Sequence, residues 1–485
     1  MKQINCFLAC SNLTETTKTV EQINQSSLVQ AIYILVNKDQ NIQIDGCTTL
    51  KIDSLQSSET IRKIAEKSDA TYSLIYTKNS TLELGQFALE RFFRIAEDTQ
   101  AGLVYSDYYE IKDSVRSNYP VIDYQEGSLR DDFNFGSVLF YNAANLKKVV
   151  KDTTISYQFA GLYNLRLKVS QQAELVHINE YLYAEVETDT RKSGEKQFDY
   201  VDPRNRAVQI EMETACTDHL KQIGAYLAPR FNEIAFNESN FPVEASVIIP
   251  IRNRVKTVED AIKSVLIQKT NFNFNLIIVD NFSTDGTSEL IQKYAIKDRR
   301  VIHIIPKRND LGIGGCWNEG VHSDQCGKFA IQLDSDDVYQ NDNTLQIMVD
   351  AFYEQNCAMV IGSYTMTNFA METILPGLID HKEWSPENGR NNALRINGLG
   401  APRAFYTPVL RDIKVPNTSY GEDYALGLRI SREYQIGRVY ESVYLCRRWD
   451  ENSDASLDVV KMNGHNMYKD KIRTVELKAR IKILS

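Results

Sequence analysis

Short apolar runs alternate with amphipathic helical patterns along most of the chain. In its second half, the run Val247–Pro250 is followed by apolar positions at helical spacing through Val258–Leu266. The run Phe329–Leu333 is followed in the same way by Leu345–Phe352. Apolar residues at i, i+3, i+4 and i+7 are typical of a helix with one buried face, and short continuous runs are typical of buried strands. The alternation predicts a largely parallel sheet covered by helices, with ligands outside the carboxyl ends of the strands.

Segments of the first half reappear in the second half in the same order and at a nearly constant spacing. Tyr72–Tyr76, for example, corresponds to Phe329–Leu333. We interpret this as a tandem duplication, which predicts an α/β fold of two similar domains. The predicted domains are residues 1–235 and residues 236–485, and the second includes a C-terminal helix.

The composition narrows the function class. The 485 residues carry 55 Lys and Arg against 64 Asp and Glu, a net charge of −9, and so acidic a balance disfavours nucleic-acid binding. The sequence contains neither a run of 18 apolar residues nor a signal peptide. The eight cysteines are scattered without a C-x-x-C motif, which indicates free thiols in a reducing cytoplasm.

The final helical stretch, 461–482, is rich in lysine and arginine. Such a face could rest on anionic lipid, although a solvated helix is favoured. We therefore expect a cytoplasmic protein, and leave open a peripheral contact with the inner face of a membrane and a homo-oligomer.

An acidic cluster follows the apolar run Phe329–Leu333. Asp334, Asp336 and Asp337 fill three of four consecutive positions, with Ser335 between the first two. Carboxylates crowded at the end of a buried strand repel one another, and a hard divalent cation between their oxygens relieves that repulsion. A hydrogen-bonded acidic turn is the alternative, because Asp is also common in turns and at helix N-termini.

The second half, from Ser246 to Trp449, resembles the family-two inverting glycosyltransferases with the GT-A fold. The segments that carry the resemblance are Val247–Asn253, Ser264–Gln268, Val279–Thr287, Gly312–Gly320, Asp334–Asp336, Gly398–Gly400, Glu422–Asp423 and Arg447–Arg448. The resemblance implies two tandem GT-A-like domains, of the Rossmann-like nucleotide-diphospho-sugar transferase type, with mostly parallel sheets flanked by helices.

The resemblance also assigns roles to single residues. It makes Asp423 the catalytic base and places Gly400 and Glu422 on the acceptor side. It makes Asp334 and Asp336 the ligands of Mn²⁺ or Mg²⁺. The positions that it assigns to the nucleotide-sugar donor are Pro250, Asn253, Asp280, Ser283, Asp285, Gly312, Asp334, Ser335 and Arg448.

The donor loop has a structural alternative. The resemblance places Asp280, at the end of its strand, against the nucleotide's base and ribose, with Ser283 and Asp285 shaping the loop. A carboxylate at that point can accept from a base N–H or a ribose hydroxyl. The same Ser-Thr-Asp-Gly sequence is also a turn that leads into a helix.

Two tryptophans depart from the family pattern. Trp317 takes the place of an arginine in the glycine-rich segment, and Trp449 takes the place of a histidine after the arginine-rich strand. Either Arg447 or Arg448 can offset the charge of a diphosphate. The sequence leaves open which of the two faces the site.

The first half lacks this chemistry. At the aligned positions, Asp334–Asp337 become Thr77–Ser80, Glu422–Asp423 become Phe159–Ala160, and Arg447–Arg448 become Ala184–Glu185. Since the apolar frame persists without these groups, we predict that the first domain does not catalyse the reaction. It would instead buttress the second domain, bind the acceptor or mediate self-association.

These implications predict a metal-dependent inverting glycosyltransferase. It would move a hexosyl or N-acetylhexosaminyl group from a UDP-sugar to a hydroxyl of a glycan or lipid-linked glycan. One alternative is a catalytically inactive tandem binding or scaffold protein. The two tryptophans leave this alternative open, and the intact carboxylates Asp280, Asp334, Asp336 and Asp423 argue against it. A nucleotidyltransferase is the other, and Ile251–Arg254 disfavours it because this turn has arginines but no glycine cluster.

Overall fold

The computed structural model describes residues 3–186, 205–237, 240–449 and 457–485. The chain divides into two compact units. The first unit comprises Met1–Lys192, Arg206–Tyr226 and Asp458–Ser485, and the second comprises Ser193–Asn205 and Leu227–Leu457.

Within the described residues up to Gln222, the first unit has nine strands and six helices. The strands are β1 (Ile4–Cys10), β2 (Val29–Asn37), β3 (Thr48–Ile52), β4 (Tyr72–Tyr76), β5 (Leu82–Leu84), β6 (Leu103–Lys112), β7 (Val115–Tyr119), β8 (Val138–Asn142) and β9 (Leu175–Val186). The helices are α1 (Leu13–Ile23), α2 (Ser58–Lys67), α3 (Ala88–Thr99), α4 (Ala143–Asp152), α5 (Gly161–Ser170) and α6 (Arg206–Gln222).

The second unit repeats this arrangement. Its strands are β10 (Ala245–Ile251), β11 (Phe274–Asp280), β12 (Val301–Ile304), β13 (Phe329–Gln332), β14 (Val338–Tyr339), β15 (Met359–Asn368), β16 (Thr373–Ile379), β17 (Arg403–Tyr406) and β18 (Ile436–Arg448). Its helices are α7 (Val258–Leu266), α8 (Thr287–Lys297), α9 (Ile313–Val321), α10 (Thr344–Gln355), α11 (Gly389–Asn392), α12 (Thr407–Ile413) and α13 (Glu422–Ser431). The last helix of the chain is α14 (Val459–Leu484).

The two sheets have the same strand order. It is β3-β2-β1-β4-β8-β6-β9-β5 in the first unit and β12-β11-β10-β13-β17-β15-β18-β14 in the second, with β7 on β6 and β16 on β15. The predicted tandem α/β fold is therefore confirmed. The first four strands of each order are parallel. Beyond them the sheets are mixed, because β8 and β17 run antiparallel to both of their neighbours.

The pairing register aligns the two copies. Tyr72 pairs with the first residue of β1, and Phe329 pairs with the first residue of β10. The central strands β4 and β13 therefore correspond residue for residue, as the sequence predicts. This correspondence puts Thr77 at the position of Asp334.

In the last long strand of each unit, β9 and β18, the pairing register gives an alignment that differs by two positions from the one inferred from the sequence. The pairings of β9 with β6 and of β18 with β15 bring Tyr183 and Tyr444 to the same place, so that Val186 corresponds to Arg447 instead of Ala184. Both pairings contain register shifts, which a comparison of sequences does not reveal. Neither Val186 nor Ala184 carries a positive charge, so the loss of the cation in the first copy is unaffected.

The final helix α14 belongs to the first unit, whereas the sequence analysis placed it in the second domain. The Ser128 hydroxyl donates to Asp470 (2.9 Å), and the Gly127 N–H donates to Thr474 Oγ1 (3.0 Å). Arg473 lies within 2.7 Å of the same Asp470, and all of these groups are buried. The charge pattern of the helix favours a solvated face, but Arg473 and Arg480 are fully buried. A sequence of charges does not show which distant groups will pair with them. None of the described helices is long and apolar enough to cross a membrane.

The contact at Gly127 predicts a stability effect. A Cβ atom at this position would lie 2.2 Å from the Thr474 backbone nitrogen and 2.4 Å from the Asp470 carbonyl oxygen. Since backbone atoms cannot yield as a side chain can, we expect Gly127→Ala to destabilise the protein by about 1–3 kcal/mol. Urea unfolding followed by circular dichroism measures this change.

Gly464→Ala is the matched control on the same helix. No atom lies within 4 Å of a Cβ at Gly464, and alanine has the higher helix propensity, so a gain of up to ~1 kcal/mol is expected. A Gly127→Ala protein as stable as the wild type would contradict the close docking of α14.

Candidate active site

A cavity of 530 Å³ opens at the carboxyl ends of β10 and β13 in the second unit. Charged side chains line much of it. The carboxylates among the described lining residues are Asp334, Asp336, Asp337, Glu422 and Asp423, and the guanidinium groups are Arg252, Arg254, Arg403 and Arg448. The acidic cluster and the Glu-Asp pair, far apart in sequence, thus meet in one cavity.

The acidic turn after β13 is held by hydrogen bonds. The Gln332 side-chain amide donates to Asp334 Oδ1 (2.8 Å), and the Asp334 N–H donates to the Tyr444 hydroxyl (3.1 Å). Asp337 Oδ1 accepts from the Arg447 N–H (2.7 Å). The pKa of Asp334 is raised above its usual value, mainly by burial. The positive charge of Arg403 opposes this rise, and the negative charge of Asp336 adds to it. The turn therefore brings like charges together at a cost that a cation would offset.

The two neighbouring arginines have different roles. Arg447 is 1% exposed, and its guanidinium donates to the Asp336 carbonyl and lies 2.8 Å from Asp260 Oδ2. Arg448 lines the cavity. Arg448 is thus the one of the two that lies at the cavity, whereas Arg447 braces the acidic turn against α7.

Trp449 touches the acidic cluster directly. Its indole Nε1 lies 3.3 Å from Asp336 Oδ2 and donates to it. At the position where the family pattern has histidine, this chain therefore has a donor that cannot bind a metal but can orient a carboxylate. The sequence shows the substitution but not this contact.

The cavity has two carboxylates suited to a divalent cation. Among the described residues, no group of three or more His, Cys, Asp or Glu side chains could hold a metal ion. Asp334 and Asp336 nevertheless fit part of such a site, because their hard oxygens and mutual repulsion favour a cation between them. The remaining ligands would have to come from a bound phosphate or water.

Asp423 lies at the start of α13. The Arg403 guanidinium is 2.9 Å from its Oδ2, and the Tyr424 N–H donates to its Oδ1 (2.7 Å). Beside it, burial and then the Asp423 charge raise the pKa of Glu422 to about 7. Glu422 Oε2 is buried, and no described group forms a hydrogen bond with it. Sequence reasoning missed Arg403, since one arginine at the start of a strand carries no recognisable signal.

Asp280 does not line the cavity, contrary to its predicted contact with the nucleotide. It is fully buried, and its oxygens accept from the Ser283 N–H (3.0 Å), from the Ser288 hydroxyl and from His303 (3.2 Å). Burial raises its pKa, but these hydrogen bonds outweigh burial and lower it. Asp280 is thus an ionised anchor for its loop, and the next residue, Asn281, reaches the cavity.

The other predicted loop residues join two turns. The Asn253 N–H donates to Ser283 Oγ (2.9 Å), and the Thr284 N–H donates to Asn253 Oδ1 (2.8 Å). Asp285 accepts from the N–H groups of Val255 (3.2 Å) and of the first residue of α8 (3.1 Å). These side chains hold the two turns together but do not line the cavity.

The glycine-rich segment is packed as well as exposed to the cavity. Pro250, Gly312 and Trp317 line the cavity. The Trp317 ring lies edge-on to the Phe405 ring, with 5.8 Å between the ring centroids. A Cβ atom at Gly314 would lie 1.8 Å from the Pro416 carbonyl oxygen. The close packing of α9 against Pro416 therefore requires glycine at position 314. This requirement does not depend on any ligand at Gly312.

Gly400 belongs to the frame that both copies share. Its φ of +87° is a left-handed conformation, and Gly136, at the corresponding place before β8, has a φ of +70°. A Cβ atom at Gly400 would meet His381 Nε2 at 1.9 Å. Since the same glycine persists in the copy without the acidic residues, its first requirement is backbone geometry.

The first unit has a cavity of 500 Å³ at the equivalent strand ends, lined by Thr77 and Asn79 in place of the acidic cluster. Lys78 forms an ion pair with the buried Glu185. No carboxylate pair therefore replaces the one in the second unit at these described positions.

Arg447 and Arg448 offer a matched pair of variants. Arg447→Ala removes a buried guanidinium and leaves the Asp336 carbonyl and Asp260 without it, so we expect a loss of about 2–4 kcal/mol of stability. Arg448→Ala, at the cavity, should change stability by less than about 1 kcal/mol. Chemical denaturation of both variants measures the difference, and equal stabilities would contradict the bracing role of Arg447.

Comparison with known proteins identifies part of the chain. Residues 246–402 match the family model Glycosyl transferase family 2. This segment includes the acidic cluster and ends just before β17, so it excludes Glu422 and Asp423. The family resemblance predicted from the sequence is confirmed for residues 246–402.

The chain matches less than half the length of each of the two curated relatives described next. The chain is 33% identical over 128 residues to the glycosyltransferase TuaG of Bacillus subtilis, provisionally named for teichuronic acid biosynthesis, covering 26% of this chain and 49% of TuaG. It is 38% identical over 198 residues to an uncharacterized glycosyltransferase of Rickettsia felis, covering 40% of this chain and 31% of that protein. The crystal structure of S. aureus TarS 1–349 with UDP-GlcNAc aligns at 22% identity and a TM-score of 0.37, covering 49% of this chain and 72% of that one.

Proposed function

Because residues 246–402 form a glycosyl transferase family 2 domain, we propose that this protein transfers a sugar from a nucleotide-sugar donor to an acceptor hydroxyl, with inversion at the anomeric carbon. The donor that we propose is a UDP-sugar carrying a hexosyl or N-acetylhexosaminyl group. The observation that supports the proposal most is that one cavity holds both the Asp334 and Asp336 pair and the Asp423 carboxylate.

The proposed reaction is a single displacement. The acceptor oxygen forms a bond to the anomeric carbon, the bond from that carbon to the phosphate oxygen breaks, and the nucleoside diphosphate leaves with the electron pair. Asp423 accepts the proton of the acceptor hydroxyl. Such general-base assistance contributes about 10²–10⁴ in rate.

The leaving group needs positive charge. Asp334 and Asp336 would hold Mn²⁺ or Mg²⁺, which when bound neutralises the charge that develops on the diphosphate. Arg448 lines the same cavity and adds a fixed cation. Ser335, 9% exposed and also at the cavity, offers a hydroxyl for the donor.

For the acceptor we propose a glycan or a lipid-linked glycan. The name of TuaG, which refers to teichuronic acid biosynthesis, supports an acceptor of this class. Glu422 stands next to the proposed base with a buried oxygen that no described group bonds. In the proposed complex, this oxygen accepts a hydrogen bond from a second hydroxyl group of the acceptor.

Nucleotide binding tests the donor side. We expect calorimetric titration with UDP, GDP and dTDP to show binding of UDP with Mn²⁺ and loss of that binding in EDTA. The variant Asp334→Ala/Asp336→Ala should lose metal-dependent binding, because only carboxylate oxygens at these positions can hold the cation.

The first unit provides the control. Thr77→Ala/Asn79→Ala changes the equivalent strand end in the other copy and should leave UDP affinity unchanged. If no nucleotide binds to the wild type with or without Mn²⁺, the transferase proposal fails and a non-catalytic binding role gains support.

A separate variant tests the base. Asp423→Asn keeps the size of the side chain but removes its ability to take a proton. Its single amide oxygen can accept from Arg403 or from the Tyr424 N–H, but not from both. We expect UDP release from a UDP-sugar to fall by about 10²–10⁴ while UDP affinity stays within threefold of the wild type. Unchanged turnover in this variant would exclude Asp423 as the base.

A further inference from the structure

Arg403 connects the two halves of the candidate site. It is the first residue of β17 and is half-buried, and its Nη1 lies 2.9 Å from Asp423 Oδ2. The same guanidinium donates to the Gly400 carbonyl. These two partners fix the plane of the guanidinium at the wall of the cavity.

Gln332 ties Arg403 to the acidic turn. Its side-chain oxygen accepts from the backbone N–H of Arg403 (3.1 Å), and its side-chain nitrogen donates to Asp334 Oδ1 (2.8 Å). A chain of polar contacts, completed by the covalent side chain of Arg403 between its backbone N–H and its guanidinium, therefore runs from Asp334 through Gln332 and Arg403 to Asp423. It joins the proposed cation ligand to the proposed base.

The duplicated unit shows that the frame does not need these two polar residues. The pairings of Ile331 with Ala404 and of the corresponding strands in the first unit put Leu139 at the place of Arg403. The same register puts Ile75 at the place of Gln332. Both replacements are buried and apolar, so the polar chain is absent in the copy that lacks the acidic cluster.

On the basis of the proposed function, we propose that Arg403 is a positioning residue, which holds the Asp423 carboxylate in the orientation that receives the acceptor proton. Its Nη1 fixes Oδ2, and the Tyr424 N–H fixes Oδ1. Each carboxylate oxygen can accept more than one hydrogen bond, so the base remains available to the acceptor hydroxyl. A carboxylate held in this way is already oriented for proton transfer, so the reaction does not require it to reorient.

Arg403 also lines the cavity, and a guanidinium there could instead bind the donor's diphosphate directly. The two roles differ in whether the effect of removing Arg403 depends on the presence of Asp423. A residue that acts through Asp423 has no effect once the base is gone, whereas a donor ligand retains its effect. A double-mutant cycle separates them.

The experiment compares wild type, Arg403→Leu, Asp423→Asn and the double variant. Leucine is chosen because the first unit accommodates it at the same position, and thermal unfolding verifies that each variant is folded. The readouts are the maximal rate of UDP release at saturating UDP-sugar and the calorimetric affinity for UDP with Mn²⁺. Arg403→Lys, which keeps the charge but not the planar fork, is the conservative variant.

We expect Arg403→Leu to lower the maximal rate by about 10–100-fold, since a small misplacement of a catalytic group can cost about 10². UDP affinity should stay within threefold of the wild type, and Arg403→Lys should recover part of the rate. The double variant should be no slower than Asp423→Asn alone.

Two results would overturn the positioning role while leaving the proposed function intact. They are a double variant whose loss equals the product of the two single losses, and a tenfold or greater loss of UDP affinity in Arg403→Leu. A wild type that neither binds UDP nor releases it from any UDP-sugar would instead refute the proposed function, and the role of Arg403 with it.

Discussion

The antiparallel pairing of β17 against β13 is the constraint on which the candidate site depends. It places the amino end of β17 beside the carboxyl end of β13, so that Arg403 and the acidic turn become neighbours. A slip of one residue in this register would turn Arg403 to the other face of the sheet. The buried apolar side chains of both strands prevent such a slip, and the polar chemistry at the strand ends therefore rests on the apolar core.

The site balances opposite charges that are only partly hydrated. Carboxylates come from the turn after β13 and from the start of α13, while guanidinium groups come from the turn after β10, from β17 and from β18. Arg447 donates to the Asp336 carbonyl and Trp449 donates to the Asp336 carboxylate, and both contacts hold the turn in place. The second unit thereby keeps several like charges close together, at a cost in stability that binding of a cation and a nucleotide would offset.

The two copies separate what the fold requires from what the chemistry requires. Strand order, core and the left-handed glycine before β8 or β17 are present in both. The acidic cluster, Gln332 and Arg403 are present only in the second, and Thr77, Ile75 and Leu139 take their places in the first. Because the same architecture forms with these replacements, the polar residues of the second unit are not needed to specify the fold.

The sequence by itself determined the duplication, the α/β class, the resemblance of residues 246–402 to glycosyl transferase family 2 and the acidic cluster, because periodicity and local motifs carry that information. Only the tertiary structure decided that Asp280 turns inward to its own loop, that Arg448 and not Arg447 faces the cavity, and that Arg403 lies beside Asp423. It also decided that the final helix packs on the first unit. These facts depend on strand register and on contacts between residues distant in the chain, and no local pattern of residues specifies which distant partner a side chain will meet.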